Sequence, residues 1–207
     1  MSPKIFIGSL AILLVFAGCI NMQGAPSKID YFTFEYTPER PTRAITTPYI
    51  LKIDGFHVSS VYDDDRFLFR SGAFKRNQFP RYRWRANPGE LVADYLARDI
   101  TQASVFRAVI RAETIPNTTH LLTGTVEEFY QDVQQDSRWQ AILTVNALLV
   151  DNTTAPGDNG ILFQQHYSYH EPFDEKTTQG FVAAMSQAMQ KLSQAILKDV
   201  YDALAGG

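Results

Sequence analysis

Apolar positions along this chain follow two rhythms, one of period two and one near 3.6, and their order outlines a fold. Rings alternating with polar residues over Tyr31–Tyr36 (YFTFEY) predict a first strand and Tyr49–Phe56 a second, with Pro38, Pro41 and Pro48 in the loop between them. Residues 58–85 read as a β-ribbon. There Phe67 and Phe69 alternate with Arg66, Leu68 and Arg70, Gly72 supplies a turn or bulge, and Arg81, Arg83 and Arg85 alternate with Tyr82 and Trp84. Asn87-Pro88-Gly89-Glu90 predicts a helix start: Asn as N-cap, Pro at the first helical position, Glu three residues after the cap. Leu91, Val92, Tyr95, Leu96 and Ile100 follow at helical spacing, and the helix should end near Ala103 or Ser104.

Beyond it, Phe106–Ala112 reads as a short strand, and Leu121–Gln134 with Trp139–Val150 as a long hairpin turning around residues 135–137. The second arm sets Trp139, Ala141, Leu143, Val145, Ala147 and Leu149 on one face. After a turn-rich loop, Ile161–Tyr169 is a further strand. A long helix over Thr177–Ala203 carries a stripe of Phe181, Met185, Ala188, Leu192, Ile196, Val200 and Ala203. Strands, a helix, more strands and a helix predict an α/β (α+β) fold: a two-layer domain, its sheet largely antiparallel or mixed, with the two main helices packed on one face. The opposite face is then left partly exposed or set against a partner.

The first thirty residues follow a different logic. Apart from Lys28, Lys4 is the only charge before Asp30, and Ile5–Ala17 is apolar except for Ser9. A basic start, a short apolar run and then small residues make a secretory signal. A membrane-spanning helix needs about 20 apolar residues, and this run stops short of that. Phe16-Ala17-Gly18-Cys19 resembles the lipobox of bacterial lipoproteins, with Phe16 where leucine is usual. The resemblance implies transfer of diacylglycerol to the Cys19 thiol, cleavage before Cys19 and acylation of the freed amine, with palmitate-type chains. Each buried methylene contributes ~0.8 kcal/mol, so two or more chains hold firmly where one binds only marginally. Residues 1–18 are thus expected to be a lipoprotein signal peptide, 19–30 a lipidated tether and 31–207 a single domain. Ile20 is not the aspartate that often retains lipoproteins in the inner membrane, so the expected address is the periplasmic face of the outer membrane.

Charge and composition narrow the function classes. Without residues 1–18 the formal charge moves from −3 to −4, since only Lys4 is lost. This mild acidity argues against nucleic acid as a partner. Cys19 is the only cysteine, so no disulfide braces the exported domain. With 45% hydrophobic and 13% aromatic residues, a hydrophobic core can replace one.

Candidate chemistry is sparse. The chain has no G-x-S-x-G nucleophile elbow and no phosphate-cradling glycine loop. His166 and His170 fall in a predicted strand, where residues four apart are separated by roughly 13 Å, too far to share a metal. Asp63-Asp64-Asp65 lacks the glycine and distal glutamate of an EF-hand loop and reads as a solvated turn. No cofactor or metal is expected. The most unusual stretch, Arg66–Arg85, holds Arg66, Arg70, Lys75, Arg76, Arg81, Arg83 and Arg85 among six aromatic residues and no acidic one. Arg66, Arg70, Arg81, Arg83, Arg85 and Trp84 are therefore the candidate surface for a protein partner or lipid headgroups. The plainer reading is a half-buried ribbon with rings inward and arginines outward, paired with the acidic strand around Glu127, Glu128 and Asp132. Both readings can hold together. The Met185 and Met189 stripe is read as core.

These features, taken in order, resemble the auxiliary lipoproteins of ABC-type transport systems, including the lipoprotein of the paraquat-inducible (Pqi) system. The resemblance rests on Tyr31-Phe32-Thr33-Phe34, on Tyr62 and Arg70, and on Tyr82-Arg83-Trp84 leading into Asn87-Pro88. It continues through Phe106-Arg107-Ala108-Val109 and closes with residues 181–188 (FVAAMSQA), Leu192-Ser193 and Ile196. It implies a non-catalytic component working beside an ATPase, a permease and an inner-membrane protein with MCE domains that forms a periplasmic path for lipids. The lipoprotein would dock that path at the outer membrane and assemble as a homo-oligomeric ring. Three other readings stay open: an assembly or chaperone lipoprotein for another outer-membrane machine, direct lipid carriage between sheet and helices, and a periplasmic hydrolase built on His57, His120, His166 or His170.

Overall fold

The computed structural model describes residues 28–39, 46–111, 117–134, 138–155, 158 and 160–205. The expected signal peptide, Cys19, most of the tether and the turn at 135–137 lie outside the described residues. Among the described residues eleven elements follow one another: β1 (Asp30–Phe32), β2 (Ile50–Ile53), β3 (His57–Val58), β4 (Arg66–Gly72), β5 (Lys75–Trp84), α1 (Pro88–Ala103), β6 (Ala108–Ile110), β7 (His120–Asp132), β8 (Gln140–Asp151), β9 (Ile161–Pro172) and α2 (Thr178–Ala205).

The nine strands form one mixed sheet organised around β7. On one side β7 pairs antiparallel with β8 along its whole length, from His120↔Asp151 to Asp132↔Gln140, and β8 pairs antiparallel with β9. On the other side three short strands lie end to end, all parallel to β7: β2 against His120–Leu122, β3 against Thr125–Val126 and β4 against Gln131–Asp132. β6 runs parallel outside β2, β5 antiparallel outside β4, and β1 parallel outside β5. The antiparallel part of the expectation therefore belongs to the long ladders, and the short pairings to β7 are parallel.

The aromatic alternation at Tyr31–Tyr36 produces only three paired residues. Past Phe32 the backbone turns to the helices: the Glu35 N–H donates to Ser186 Oγ of α2 at 3.0 Å, and the Tyr95 hydroxyl of α1 donates to the Phe34 carbonyl. The alternation marked burial, and side chains of the helix layer took the backbone hydrogen bonds that a ladder would have made.

Both helices cover the same sheet face. Phe34 packs on Tyr95 of α1 and on Trp84, with centroids 5.0 and 5.4 Å away, and Trp84 meets Phe129 of β7 and Phe181 of α2. Leu143, Val145, Ala147 and Leu149 of β8 are fully buried beneath α2, whose Met185, Ala188, Leu192, Ile196 and Val200 are also at 0% exposure. Each large side chain buried here contributes roughly 1.5–3 kcal/mol. α1 begins as its sequence requires, with Asn87 Oδ1 accepting from the Gly89 N–H at 2.9 Å. It ends on Ser104 in the left-handed conformation, φ 55°. Gly124 in mid-β7 lets the Phe56 ring lie on the sheet: a Cβ there would sit 2.1 Å from the Asn146 carbonyl oxygen and 2.7 Å from that ring.

Candidate functional site

The β4–β5 ribbon splits the candidate residues into three kinds. Trp84 is a core residue, at 1% exposure, with Phe67 at 4.4 Å and Phe129 at 5.1 Å between ring centroids. As a docking residue it is therefore corrected: its ring ties the ribbon to α2 and faces no partner. Arg66, Arg70 and Arg83 are bound to acids of the same chain. Asp64 accepts from the Arg66 backbone N–H at 2.8 Å and from its Nε at 2.7 Å. These bonds hold the Asp64 carboxyl down at about 2. Arg83 Nε lies 3.4 Å from Asp65, and its Nη1 donates to the carbonyls of Phe79 and Tyr82 at 3.3 and 3.2 Å. Only Arg81 and Arg85 are exposed, and neither forms an ion pair among the described residues.

The expected pairing with the acidic strand is realised once, by Arg70 and Asp132. Burial raises the Asp132 pKa, but hydrogen bonds from Arg70 and Gln134 outweigh it and leave the carboxyl below its usual range. Glu127 instead meets His166, with 3.1 Å between Oε2 and Nε2, and Glu128 accepts from Thr144 Oγ1 at 2.9 Å. The aspartate run after Tyr62 joins the ribbon to α1, because Asp63 accepts from Asn87 Nδ2 at 2.6 Å.

The structure assembles something the alternation did not single out. Away from the helices, Tyr62 stacks on Tyr130 with centroids 5.6 Å apart and planes within 9°. The guanidinium carbons of Arg70 and Arg76 lie 5.3 and 4.9 Å from the Tyr130 centroid. Burial, reinforced by the charge of Glu128, pushes the Tyr130 phenol up to about 12. Arg76 Nε is buried without a hydrogen bond among the described residues. Beside this cluster a polar ladder crosses three strands: Glu128, Thr144, Ser168 and His170, with Thr144 Oγ1 and Ser168 Oγ 3.0 Å apart and His170 Nε2 3.3 Å from Ser168 Oγ. The ladder depends on the β7–β8 and β8–β9 registers and on the bulge between Val126 and Glu128, none of which a single-strand pattern carries.

The four histidines occupy separate sites. His57, His166 and His170 are exposed, while His120 is buried against Tyr49 and Phe106. Burial lowers the His120 pKa against the opposing pull of Asp151. His166 and His170 share a face of β9, as expected for a strand. The one serine–histidine contact among the described residues is on an open surface, and Glu128 approaches it only from the serine side, through Thr144. No three His, Cys, Asp or Glu side chains converge as a metal-holding group among the described residues.

The sequence matches the family model described as "ABC-type transport auxiliary lipoprotein component" over residues 32–197. Among solved structures the fold is similar to protein XCC0632 from Xanthomonas campestris, with 16% identity, a TM-score of 0.72, and coverage of 81% of this chain and 92% of that one. It is also similar to an uncharacterized protein, with 10% identity, TM-score 0.65, and coverage of 84% and 99%. A third likeness is the hypothetical protein CT253 from Chlamydia trachomatis, with 8% identity, TM-score 0.51, and coverage of 78% and 100%. At such identities these likenesses speak for the fold. No curated protein matches the chain.

Proposed function

The chain belongs to the family of ABC-type transport auxiliary lipoprotein components, and on that premise we propose that it is a non-catalytic, membrane-anchored component of an ABC/MCE-type lipid transport system. The observation that carries the reading is a lipobox at residues 16–19 placed shortly before the family match begins at residue 32. Lipid on Cys19 holds the domain at the periplasmic face of the outer membrane, and the folded part meets an MCE-domain protein reaching from the inner membrane with its permease and ATPase. Copies of the chain assemble as a ring around that path. What supports a non-catalytic role is the scatter of the histidines and the geometry of the Ser168–His170 contact, whose acid does not orient the imidazole.

Metabolic labelling with palmitate should mark the wild-type protein and leave Cys19→Ser unmarked. Crosslinking in intact envelopes should then capture an MCE-domain protein together with its permease and ATPase. Capture of a β-barrel or secretin in their place would establish the assembly-lipoprotein reading instead. Turnover of ester substrates that disappears in Ser168→Ala would end the non-catalytic one.

A further inference from the structure

We propose that the tip of the β4–β5 hairpin, Phe74 with Lys75, seats in the surface of the bilayer to which the chain is anchored; this rests on lipidation of Cys19. Phe74 is fully exposed, at 103% of its reference area, and Lys75 beside it is exposed as well. The tip is built rather than loose: Gly72 pairs with Lys75 across the turn, and Asn77 Nδ2 donates to Ser71 Oγ at 2.9 Å. A ring on a short, closed turn, followed by a cation and with no acid anywhere in Arg66–Arg85, matches the chemistry of the bilayer interface. There the ring enters the acyl boundary and the ammonium meets lipid phosphate.

Topology decides which end of the domain faces the membrane. β1 is parallel to β5, with Asp30 opposite Tyr82 and Phe32 opposite Trp84, so the N-terminal end of β1 points toward the start of β5, where the tip lies. From the level of Tyr82 to Lys75 is roughly 23 Å at about 3.3 Å per residue. The span from Cys19 to Asp30 reaches at most about 36–40 Å. The tether therefore covers the distance to the plane of the tip with length to spare. The end of the domain beside the tip repeats the pairing of ring and cation. The Val133 N–H donates to the Arg70 carbonyl, which brings the end of β7 alongside, and at the start of β8 Lys176 Nζ lies 5.2 Å from the Trp139 centroid. Arg138 and Asp174 neutralise each other nearby; Glu175 is the remaining acid of residues 173–177, and Asp136 falls in the sequence between β7 and β8. One ring and one cation bind weakly on their own. Tethered by lipid they act at high local concentration, and their effect is to fix the orientation of the domain.

Cys19 is the only cysteine, so once it is acylated an introduced cysteine is a unique thiol. The test places an environment-sensitive dye at Ala73→Cys, next to Phe74, or at Asn152→Cys near the opposite end, in the full lipoprotein reconstituted into vesicles of neutral and anionic phospholipid. Lipid-borne nitroxide should quench the dye at position 73 and leave the dye at 152 unaffected. Adding Phe74→Glu should cut that quenching roughly tenfold, the order of partition that burial of a phenylalanine side chain supplies. A dye at 73 that stays in water while the protein is anchored overturns the inference. Shielding that persists in detergent and ignores the lipid quencher also overturns it and assigns the tip to a contact between copies of the chain. Palmitate incorporation and resistance to carbonate extraction report the anchor separately. Their failure removes the premise and the inference together, whereas an anchored protein with a wet tip removes the inference alone.

Discussion

Arg70 of β4 and Asp132 of β7 form an ion pair where the two strands run parallel, and the same guanidinium lies over the Tyr130 ring. Asp132 keeps only 9% of its side-chain surface exposed, so its charge depends on Arg70 more than on water. Arg70→Ala should cost about 2–3 kcal/mol in urea denaturation, since it leaves a largely buried carboxylate unpaired. Adding Asp132→Asn should recover part of that loss, and strictly additive costs would show that the two residues are not coupled.

The same pair sets an acid limit. The folded-state pKa of Asp132 is lowered, so its stabilisation is present above the unfolded value of about 3.9 and is lost as pH falls through the lower folded value. Unfolding measured below about pH 4 should show a steeper loss of stability in the wild type than in Asp132→Asn. Parallel slopes would mean that Arg70 does not hold the carboxylate.

Trp84 and its outward neighbours should separate completely. Trp84→Ala should cost about 3–5 kcal/mol, because it empties the junction of Phe34, Phe67, Phe129 and Phe181. Arg81→Ala and Arg85→Ala should stay within about 0.5 kcal/mol of the wild type in thermal and urea unfolding. If either arginine mattered as much as the tryptophan, the assignment of Trp84 to the core and the arginines to the surface would be wrong.

The two ends of α1 should respond with opposite signs. Asn87→Ala removes the acceptor for the Gly89 N–H and should destabilise by about 1 kcal/mol. Ser104→Gly relieves a left-handed conformation that costs a non-glycine residue about 1 kcal/mol, and should raise the midpoint of unfolding.

Among the tyrosines whose pKa is raised, Tyr130 included, two should lead the alkaline behaviour. Burial first, and then hydrogen bonds to Asp99 and Asp199, raise the pKa values of Tyr36 and Tyr167 far above the ordinary phenol. A raised folded pKa means that the folded state holds its proton longer. The stability each contributes is full below about pH 10 and declines as pH rises beyond it. Tyr167→Phe should flatten that decline in a series of denaturation curves from pH 9 to about pH 11.5, at a cost near neutral pH of about 1 kcal/mol for the lost hydrogen bond.

How much of this was legible can be judged element by element. The α1 start at Asn87-Pro88 and its end at Ala103 are written in local chemistry, and so is the α2 stripe from Phe181 to Val200. Both survive folding because a helix satisfies its backbone from within and asks its neighbours only for an apolar stripe to bury. The β7–β8 hairpin was equally plain, since period two and a short turn specify adjacent antiparallel arms. The end of β1 at Phe32 was not plain, because the alternation that marks burial is the same whether the backbone is bonded to a strand or to Ser186.

The candidate surface divides along the same line. Composition alone determined that Arg66–Arg85 is rich in cations and rings and free of acids. Asp64 holds Arg66 from two residues away, but which of the other cations and rings stay available was decided by residues farther off in sequence: Asp65 lies beside Arg83, Asp132 holds Arg70, Tyr130 lies beneath Arg76, and Phe129 and Phe181 enclose Trp84. Strand order and the bulge between Val126 and Glu128 set those meetings, and both belong to the sheet as a whole. Local pattern determines what each residue offers, because rotation along a strand or helix repeats within a few positions. Only the tertiary structure decides what each residue meets, because cross-strand register and parallel pairing join segments whose separation leaves no periodic trace.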